Sequence, residues 1–430
     1  MEYPLCTPSP TAGFVGGPPF VCAGRSVRVG RLPGLAPAVP GHDGPVGFVL
    51  GFGGLLLLAH LYLYWRLVLS TGTSRSWRIG GGVVLALLFV VLLTAFATQR
   101  SGPWQQVTAL HVVGNLWVAM VLYLTLTLLL AELVRGVLLI VRRSRGRDAP
   151  PPRPRAYARG AAATAVVVAA GTVGYGVTQA FAPITVVQAT VALPGLPAEF
   201  DGYRIALATD LHLGAISGAG RTREVVDIIA AQDVDVATFV GDLVDGVPEQ
   251  LATAVDPIGE LTGPGGPPDG VLFTTGNHEY YSDAPAWEAA LADRGLTVLA
   301  NAGMPVTRGD ARLWIAGIND WTGSDFGDPA DLTAALQGRQ DGDVTVLMAH
   351  QPRQVDMAAA AGVDLQLAGH THGGQIWPFH YAVLAQQGSL AGLSRVGDTQ
   401  LWTSRGAGFW GPPVRVGAPS DVSILTLTPA

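Results

Sequence analysis

Lysine is absent from this chain of 430 residues, and cysteine occurs only twice. All 26 basic side chains are therefore arginines. Cys6 and Cys22 lie in a Pro/Gly-rich N-terminal tail, and no thiol follows Cys22. A cysteine nucleophile, a Cys-based zinc site and a disulfide framework are thereby excluded from the remainder. Charge is scarce as well. Asp, Glu and Arg make up 13% of the residues, and the mean hydropathy of +0.36 is high for a purely soluble protein.

The length suits two or three domains, and the averages conceal a split between them. Residues 1–180 carry 15 arginines against 4 acids, whereas residues 181–430 carry 11 against 28. Two unlike regions have been joined. The acidic one has no basic patch suited to nucleic acid, so no nucleic-acid partner is expected.

Four apolar stretches in the first region approach the roughly 20 residues a helix needs to cross a bilayer. They are Val46–Trp65, Ile79–Thr98, Val112–Ala131 and Gly160–Phe181. The third can run on through Glu132 and Arg135 to Val141, and the fourth is rich in Ala, Val and Gly, which lets helices pack closely. This divides the chain into a tail (1–45), a membrane region (46–181) and an acidic domain (182–430). Arginine counts in short loops set the orientation. The loop before the fourth stretch holds Arg142, Arg143, Arg145, Arg147, Arg153, Arg155 and Arg159, and the first loop holds Arg75 and Arg78. The second loop holds only Arg100. The first and third loops are expected in the cytoplasm, which makes a multi-pass protein of the cell membrane with its acidic domain outside. Arg25, Arg28 and Arg31 would then be external, which a long tail tolerates better than a short loop. No conventional cleavable signal peptide is evident.

From Ile184 the pattern changes to short β-branched runs alternating with helical segments. Five runs end in polar groups. RIALAT (204–209) leads to Asp210 and His212, VDVATFV (234–240) to Asp242 and Asp245, GVLFTT (270–275) to Asn277 and His278, DVTVLMA (343–349) to His350, and VDLQLA (363–368) to His370 and His372. Ligands in α/β folds bind where strands end, since loops there can be re-aimed without disturbing the core. Taken singly, an Asp after a strand is usually a helix cap and a His a turn residue. Five of the nine histidines falling at such ends, flanked by Gly241, Gly276, Gly369, Gly373 and Gly374, point to a common site.

Mixed Asp, Asn and His donors suit divalent first-row transition metals better than Ca²⁺ or Mg²⁺. Seven such donors over-supply one metal but serve two, about 3.5–4 Å apart and bridged by a carboxylate. In Asp210-x-His212 and His370-x-His372, residues two apart on an extended strand point to one side. The two imidazoles of GHTHGG then read as ligands, one for each metal.

The strings LATDLHLG, GDLVDG, GNHEYY, AHQPR and AGHTHGGQIWPF, in this order, resemble the calcineurin-like metallophosphoesterase superfamily, in particular its bacterial membrane-anchored or exported branch. The resemblance runs from about Ile184 to Pro429 and leaves the membrane region uncovered. It implies an α/β fold, a metallophosphoesterase β-sandwich flanked by helices, here preceded by four transmembrane helices. It implies that Asp210, His212 and His372 hold one metal, that Asn277, His350 and His370 hold the other, and that Asp242 bridges them. The pair would be Mn²⁺, Fe²⁺/Fe³⁺ or Zn²⁺. His278 would face the phosphoryl group as catalytic acid, its ring oriented by Asp245. Gly246 stands where the protein Ser/Thr phosphatases of the superfamily carry arginine, which argues against phosphoprotein specificity. The activity implied is hydrolysis of phosphomono- or diester or pyrophosphate bonds by a hydroxide held between the metals.

Trp377, Phe379, His380 and Tyr381 follow the GHTHGG loop, and Tyr280 and Tyr281 follow GNHE. Such an aromatic rim beside a lipid bilayer would admit a lipid-linked phosphoester. His380 fits a surface histidine and Asp320 a structural carboxylate, while Arg405 and Arg415 are candidates for phosphate contact. A reading of a different class is a metal-binding membrane receptor or transporter subunit without hydrolytic activity. The apolar stretches hold few ionisable groups (His60, His111, and Glu132 with Arg135), fewer than a transport path normally needs.

Overall fold

The computed structural model describes residues 2–8, 20–28, 45–99, 107–145 and 154–430. Much of the Pro/Gly-rich tail thus lies outside the described residues. Its two described pieces, β1 (Glu2–Pro8) and β2 (Phe20–Arg28), pair antiparallel. The chain divides into two compact units. One comprises residues 33–181 with 411–416, and the other holds most of the acidic region, 182–410 and 417–430, together with residues 1–32.

The first unit is helical: α1 (Pro45–Leu63, continued by a π-helical turn over Tyr64–Leu69), α2 (Arg75–Thr98), α3 (Thr108–Ser144) and α4 (Pro154–Ala180). By length and composition, three of these are apolar enough to cross a membrane: Arg75–Thr98, Thr108–Ser144 and Arg155–Ala180. The first counts only as a shorter apolar helix, Gly53–Leu69. α3 does continue through Glu132 and Arg135, because each finds a partner. Glu132 accepts from the buried Arg66 at 2.5 Å, and the Arg135 guanidinium lies 4.8 Å over the Tyr157 ring. His60 is also accounted for. Its Nδ1 faces the Leu56 carbonyl at 2.7 Å and its Nε2 accepts from Trp117 Nε1 at 2.8 Å. A carbonyl can only accept, so the ring is held as the neutral Nδ1–H tautomer.

The second unit is built on two six-stranded sheets. In chain order the first takes β3 (Thr185–Leu193), β4 (Arg204–Ala208), β5 (Val236–Val240), β6 (Val271–Thr274) and β7 (Thr297–Val298). The second takes β8 (Ala302–Arg308), β9 (Ala311–Gly317), β10 (Val344–Met348), β11 (Leu365–Ala368), β12 (Gly392–Val396) and β13 (Thr399–Thr403). β14 (Asp421–Pro429) returns to the first sheet between β3 and β4. The orders are β3-β14-β4-β5-β6-β7 and β12-β13-β11-β10-β9-β8.

The alternation of side chains along each strand makes this a sandwich. Ile205 and Leu207 of β4, Val236 and Val240 of β5, Val344, Val346 and Met348 of β10, and Leu365 and Leu367 of β11 meet in one core between the sheets. Ala206, Ala208, Ala237 and Phe239 face the other way, onto a second core with helix residues such as Val225 and Ile229. Leu347 packs outward with Leu332, Ala335 and Ala358. Strands buried on both faces read as continuous apolar runs. The five expected runs are β4, β5 and β6, parallel neighbours in one sheet, and β10 and β11, parallel neighbours in the other. The polar residues that end these strands therefore come from both layers.

Candidate metal centre

The residues following β4, β5 and β11 leave extended geometry at once. Asp210 (φ 56°), His212 (φ 47°), Asp242 (φ 55°), His370 (φ 66°) and His372 (φ 48°) all occupy the left-handed region. Non-glycine residues adopt this conformation seldom and at a cost, and it clusters at functional sites. Asp210 and His212 thus point to a common side through paired left-handed turns, not through continuation of a strand, and His370 and His372 do likewise. Gly241 (φ 75°) has no substitute here. A Cβ on it would lie 2.5 Å from the backbone nitrogen of Gly276 and 2.7 Å from His350 Nδ1. At Gly369 a Cβ would stand 2.3 Å from Asp210 Oδ2. The glycines let three loops close on one point.

Three groups of side chains result; one joins Asp245 to His212 and His278, and the other two are made wholly of expected metal ligands. In one of these two, donor atoms of Asp210, His212 and His372 lie within 4.8 Å of one another, and in the other so do those of Asp242, His350 and His370. His212 Nε2 is 3.0 Å from His372 Nε2, and Asp210 Oδ1 is 3.3 Å from His372 Nε2. Asp242 Oδ2 is 3.1 Å from His350 Nε2 and 3.7 Å from His212 Nε2, so it lies between the groups. The other oxygen of Asp242 accepts the His278 backbone N–H at 2.9 Å.

The second ring nitrogens reveal the tautomers. His350 Nδ1 is 2.8 Å from the carbonyl of Val240, which can only accept, so Nδ1 carries a hydrogen and Nε2 is the atom that faces the carboxylates. His212 Nδ1 is 2.9 Å from Asp245 Oδ1, and the same oxygen is 2.5 Å from His278 Nδ1. Asp245 thus holds His278, as the sequence suggests, and also a second imidazole that the sequence did not link to it. A carboxylate bonded behind a ligand histidine fixes its ring and raises its basicity.

Burial works against charge on these groups, and their neighbours overcome it. Burial opposes ionisation of Asp210, yet His372, His212 and His350 hold its carboxyl well below the usual range. Asp242 and Asp245 are likewise held low against burial, chiefly by His350 and His278 for the former and by His212 and His278 for the latter. His212, despite burial, is pushed up to about 10, first by Asp245. His350 is raised well above the ordinary histidine value by Asp242. His370 moves the other way, down to about 4, through burial and the nearby His350. Carboxylates packed this densely need cations.

The donor set fits a pair of metal ions. Asn277 Oδ1 is buried without a hydrogen-bond partner among the described residues, and His350 Nε2 faces the Asp242 carboxylate at 3.1 Å. An orphaned amide oxygen beside ionised carboxylates is what a cation would satisfy. Six of the seven expected ligands belong to the two ligand groups, and the seventh, Asn277, follows β6 and lies in neither.

Glu279 carries no role in the sequence reading, although it stands in the quoted GNHE. Its buried carboxylate accepts the backbone N–H groups of Gly276 (2.7 Å), Asp242 (2.9 Å) and Leu243 (2.7 Å). It staples the loop after β5 to the loop after β6, against burial and the charge of Asp242, which push it up to about 7. Gln375 and Trp410 also escaped notice, because their link spans 35 positions: the Gln375 amide bonds both backbone groups of Trp410, each at 2.9 Å.

The remaining expectations separate. Asp320, expected to be structural, accepts Thr322 N–H at 2.8 Å and Gln351 Nε2–H at 3.0 Å through one oxygen, while its other oxygen is buried without a hydrogen-bond partner among the described residues. Arg405 borders the GHTHGG loop at Gly373 but is engaged by Asp421 at 2.9 Å. Arg415, the other candidate for phosphate contact, is fully buried in the helical unit, where its backbone N–H donates to Gly176 of α4. His380 is half-buried and stacks on Tyr381, with ring centroids 4.0 Å apart.

The family profile of the calcineurin-like phosphoesterases matches residues 203–374. A protein of Danio rerio described as "Transmembrane protein with metallophosphoesterase domain" is 30% identical over 407 residues, 90% of each chain. That match necessarily extends into the helical unit. A Bos taurus protein of the same description is 34% identical over 268 residues, 59% of this chain and 60% of that one. An "Uncharacterized metallophosphoesterase" of Helicobacter pylori is 34% identical over 229 residues, 53% of this chain and 60% of that one.

Proposed function

The chain belongs to the calcineurin-like metallophosphoesterases, and from that premise we propose that it is a membrane-anchored hydrolase of phosphoric esters that works with two divalent metal ions. Asp210, His212 and His372 would hold one ion, and Asn277, His350 and His370 the other, with Asp242 shared. What supports this reading above all is the convergence of Asp and His donors from the ends of strands in both sheets, with the Asn277 amide oxygen buried without another partner. When bound, such a pair supplies Lewis acidity toward phosphate oxygens and lowers the pKa of water.

The protein's own groups do the rest. Asp245 takes the Nδ1–H of His278, which fixes the ring with Nε2 toward the reacting phosphoryl group. From there His278 acts as the proton donor to the departing oxygen, with its ring oriented by Asp245. Asp245 keeps His212 in the complementary tautomer, with Nε2 toward Asp210 and Asp242. Glu279 holds the backbone that presents Asp242 and Asn277 at a set separation.

The ions are Mn²⁺, Fe²⁺/Fe³⁺ or Zn²⁺, as the mixed nitrogen and oxygen donors favour. The substrate is a phosphoester carried by a lipid, and the enzymatic unit faces the outside of the cell membrane, as the arginine distribution of the loops indicates. The exposed aromatic residues of the second unit favour the lipid: Tyr281, Trp321, Phe326, Trp377, Phe379, Tyr381 and Trp410 make up most of its large exposed apolar side chains. The purified full chain, stripped of metal and resupplied with Mn²⁺, should hydrolyse a chromogenic phosphodiester. Metal bound with no turnover of any phosphoester would leave the receptor or transporter reading in its place.

A further inference from the structure

Two aromatic rings stand beside the catalytic acid. Tyr281 lies 5.6 Å from the ring of His278, centroid to centroid, and Trp410 lies 6.3 Å from it, both nearly perpendicular at 70° and 80°. Both are held half in solvent, 39% and 37% exposed. An exposed tryptophan normally has a loose backbone under it, and this one does not. Gln375 spends both ends of its amide on Trp410, accepting its N–H and donating to its carbonyl, at 2.9 Å each. Two residues earlier, Gly408 N–H donates to the carbonyl of Asp210 at 2.7 Å. Gln375 is itself buried and held at φ 37°, a left-handed backbone that glutamine rarely adopts. The fold thus accepts a strained residue in order to fix the loop that carries this ring, and it fixes it next to the proton donor.

Position beside the donor decides what the rings can recognise. His278 Nδ1 is engaged by Asp245, so Nε2 delivers the proton, and the group that receives it is the alcohol leaving phosphorus. We propose that Trp410 and Tyr281 form the leaving-group subsite, selecting phosphodiesters whose departing alcohol is apolar, with Gln375 as the positioning residue for Trp410. This rests on the phosphoesterase reading above and adds a direction of cleavage to it. Water's oxygen joins phosphorus as the bond from phosphorus to the apolar alcohol breaks. That alcohol leaves with the proton of His278, the proton lost by water restores the balance, and the polar alcohol remains on phosphorus as a phosphomonoester. For a lipid, the apolar part departs and the phosphorylated headgroup is the second product.

The test uses the full chain in nanodiscs with Mn²⁺ and n-octyl phosphocholine as substrate. Choline, being cationic, is the better leaving alcohol by its own chemistry, so release of octanol has to come from the site. The expected products are octanol and phosphocholine. Trp410→Ala should lower the ratio of kcat/KM for octyl over methyl phosphocholine roughly tenfold, acting through KM. Gln375→Ala and Gln375→Glu should shift the ratio the same way, since neither can both donate to and accept from the Trp410 backbone. Release of choline and octyl phosphate overturns the proposal, as does an equal fall of kcat on both esters with the ratio unmoved. Turnover of a chromogenic diester but of neither choline ester also overturns it and leaves the phosphoesterase reading standing. Failure on every phosphoester removes both.

Discussion

Asp245 shares one carboxylate oxygen between two imidazoles, His212, proposed as a metal ligand, and His278, proposed as the catalytic acid. Removing His278 and removing Asp242 should therefore separate catalysis from metal binding. His278→Ala is expected to lower kcat by roughly 10²–10⁴-fold with metal content intact. Asp242→Ala should lose metal and activity together, because Oδ2 lies between the two donor groups. Metal analysis beside the kinetics checks both, and equal metal loss in the two variants would reverse the division of roles. A pH effect follows from the same residues. His212 and His350 are raised by their carboxylate neighbours, so each holds a proton at neutral pH that a metal ion must displace. Raised histidine values mean that the proton competes up to the raised pKa. Metal affinity should consequently climb as pH rises from 6 to 8, by as much as about tenfold per displaced proton per pH unit. Isothermal titration with Mn²⁺ in two buffers of different ionisation enthalpy would count the protons released, and a flat profile would refute the idea. The type of donor was legible residue by residue, since Asp, Asn and His after apolar runs carry that signal alone. The second hold of Asp245 was not, because residues 33 positions apart declare no hydrogen bond until folded.

The elements that matter most are the loops after β4, β5, β6 and β11, not the strands. Their geometry depends on close backbone approach, and Gly241 is the tightest point. Gly241→Ala forces a left-handed alanine, costing about 1–2 kcal/mol, and drives Cβ onto the Gly276 backbone and the His350 ring. A lower Tm and weaker metal binding are expected together. A variant with unchanged Tm and normal metal affinity would show that the loop relaxes freely. Strand positions were readable because strands buried on both faces are unbroken apolar runs, and all five appear within a residue or two of their expected bounds. The paired left-handed turns were not, as an extended continuation would also have pointed residues 210 and 212 to one side. The first apolar run does form a helix, α1, but its continuation through a π-helical turn at Tyr64–Leu69 is something no periodicity announces.

At the scale of the whole molecule, three long apolar helices and a shorter one make a membrane protein, and the proposed orientation rests on the arginines of the loop before α4, expected on the cytoplasmic side. The acidic unit should then be reachable from outside. A reporter fused after Ala430 that is active only beyond the membrane is the expected outcome, and activity only in the cytoplasm would invert the topology. The sequence by itself determined the division into an arginine-rich apolar region and an acidic α/β region, the strands, and the kind of chemistry their ends can perform. These are properties of composition and of short-range order, which hydropathy and residue type carry without any fold. Folding alone settled which donors meet, that one carboxylate serves two imidazoles, that Glu279 ties two loops through three amides, and that Gln375 holds Trp410 beside His278. Those contacts join positions far apart in the chain, and their geometry comes from sheet packing and loop closure, which no local pattern encodes.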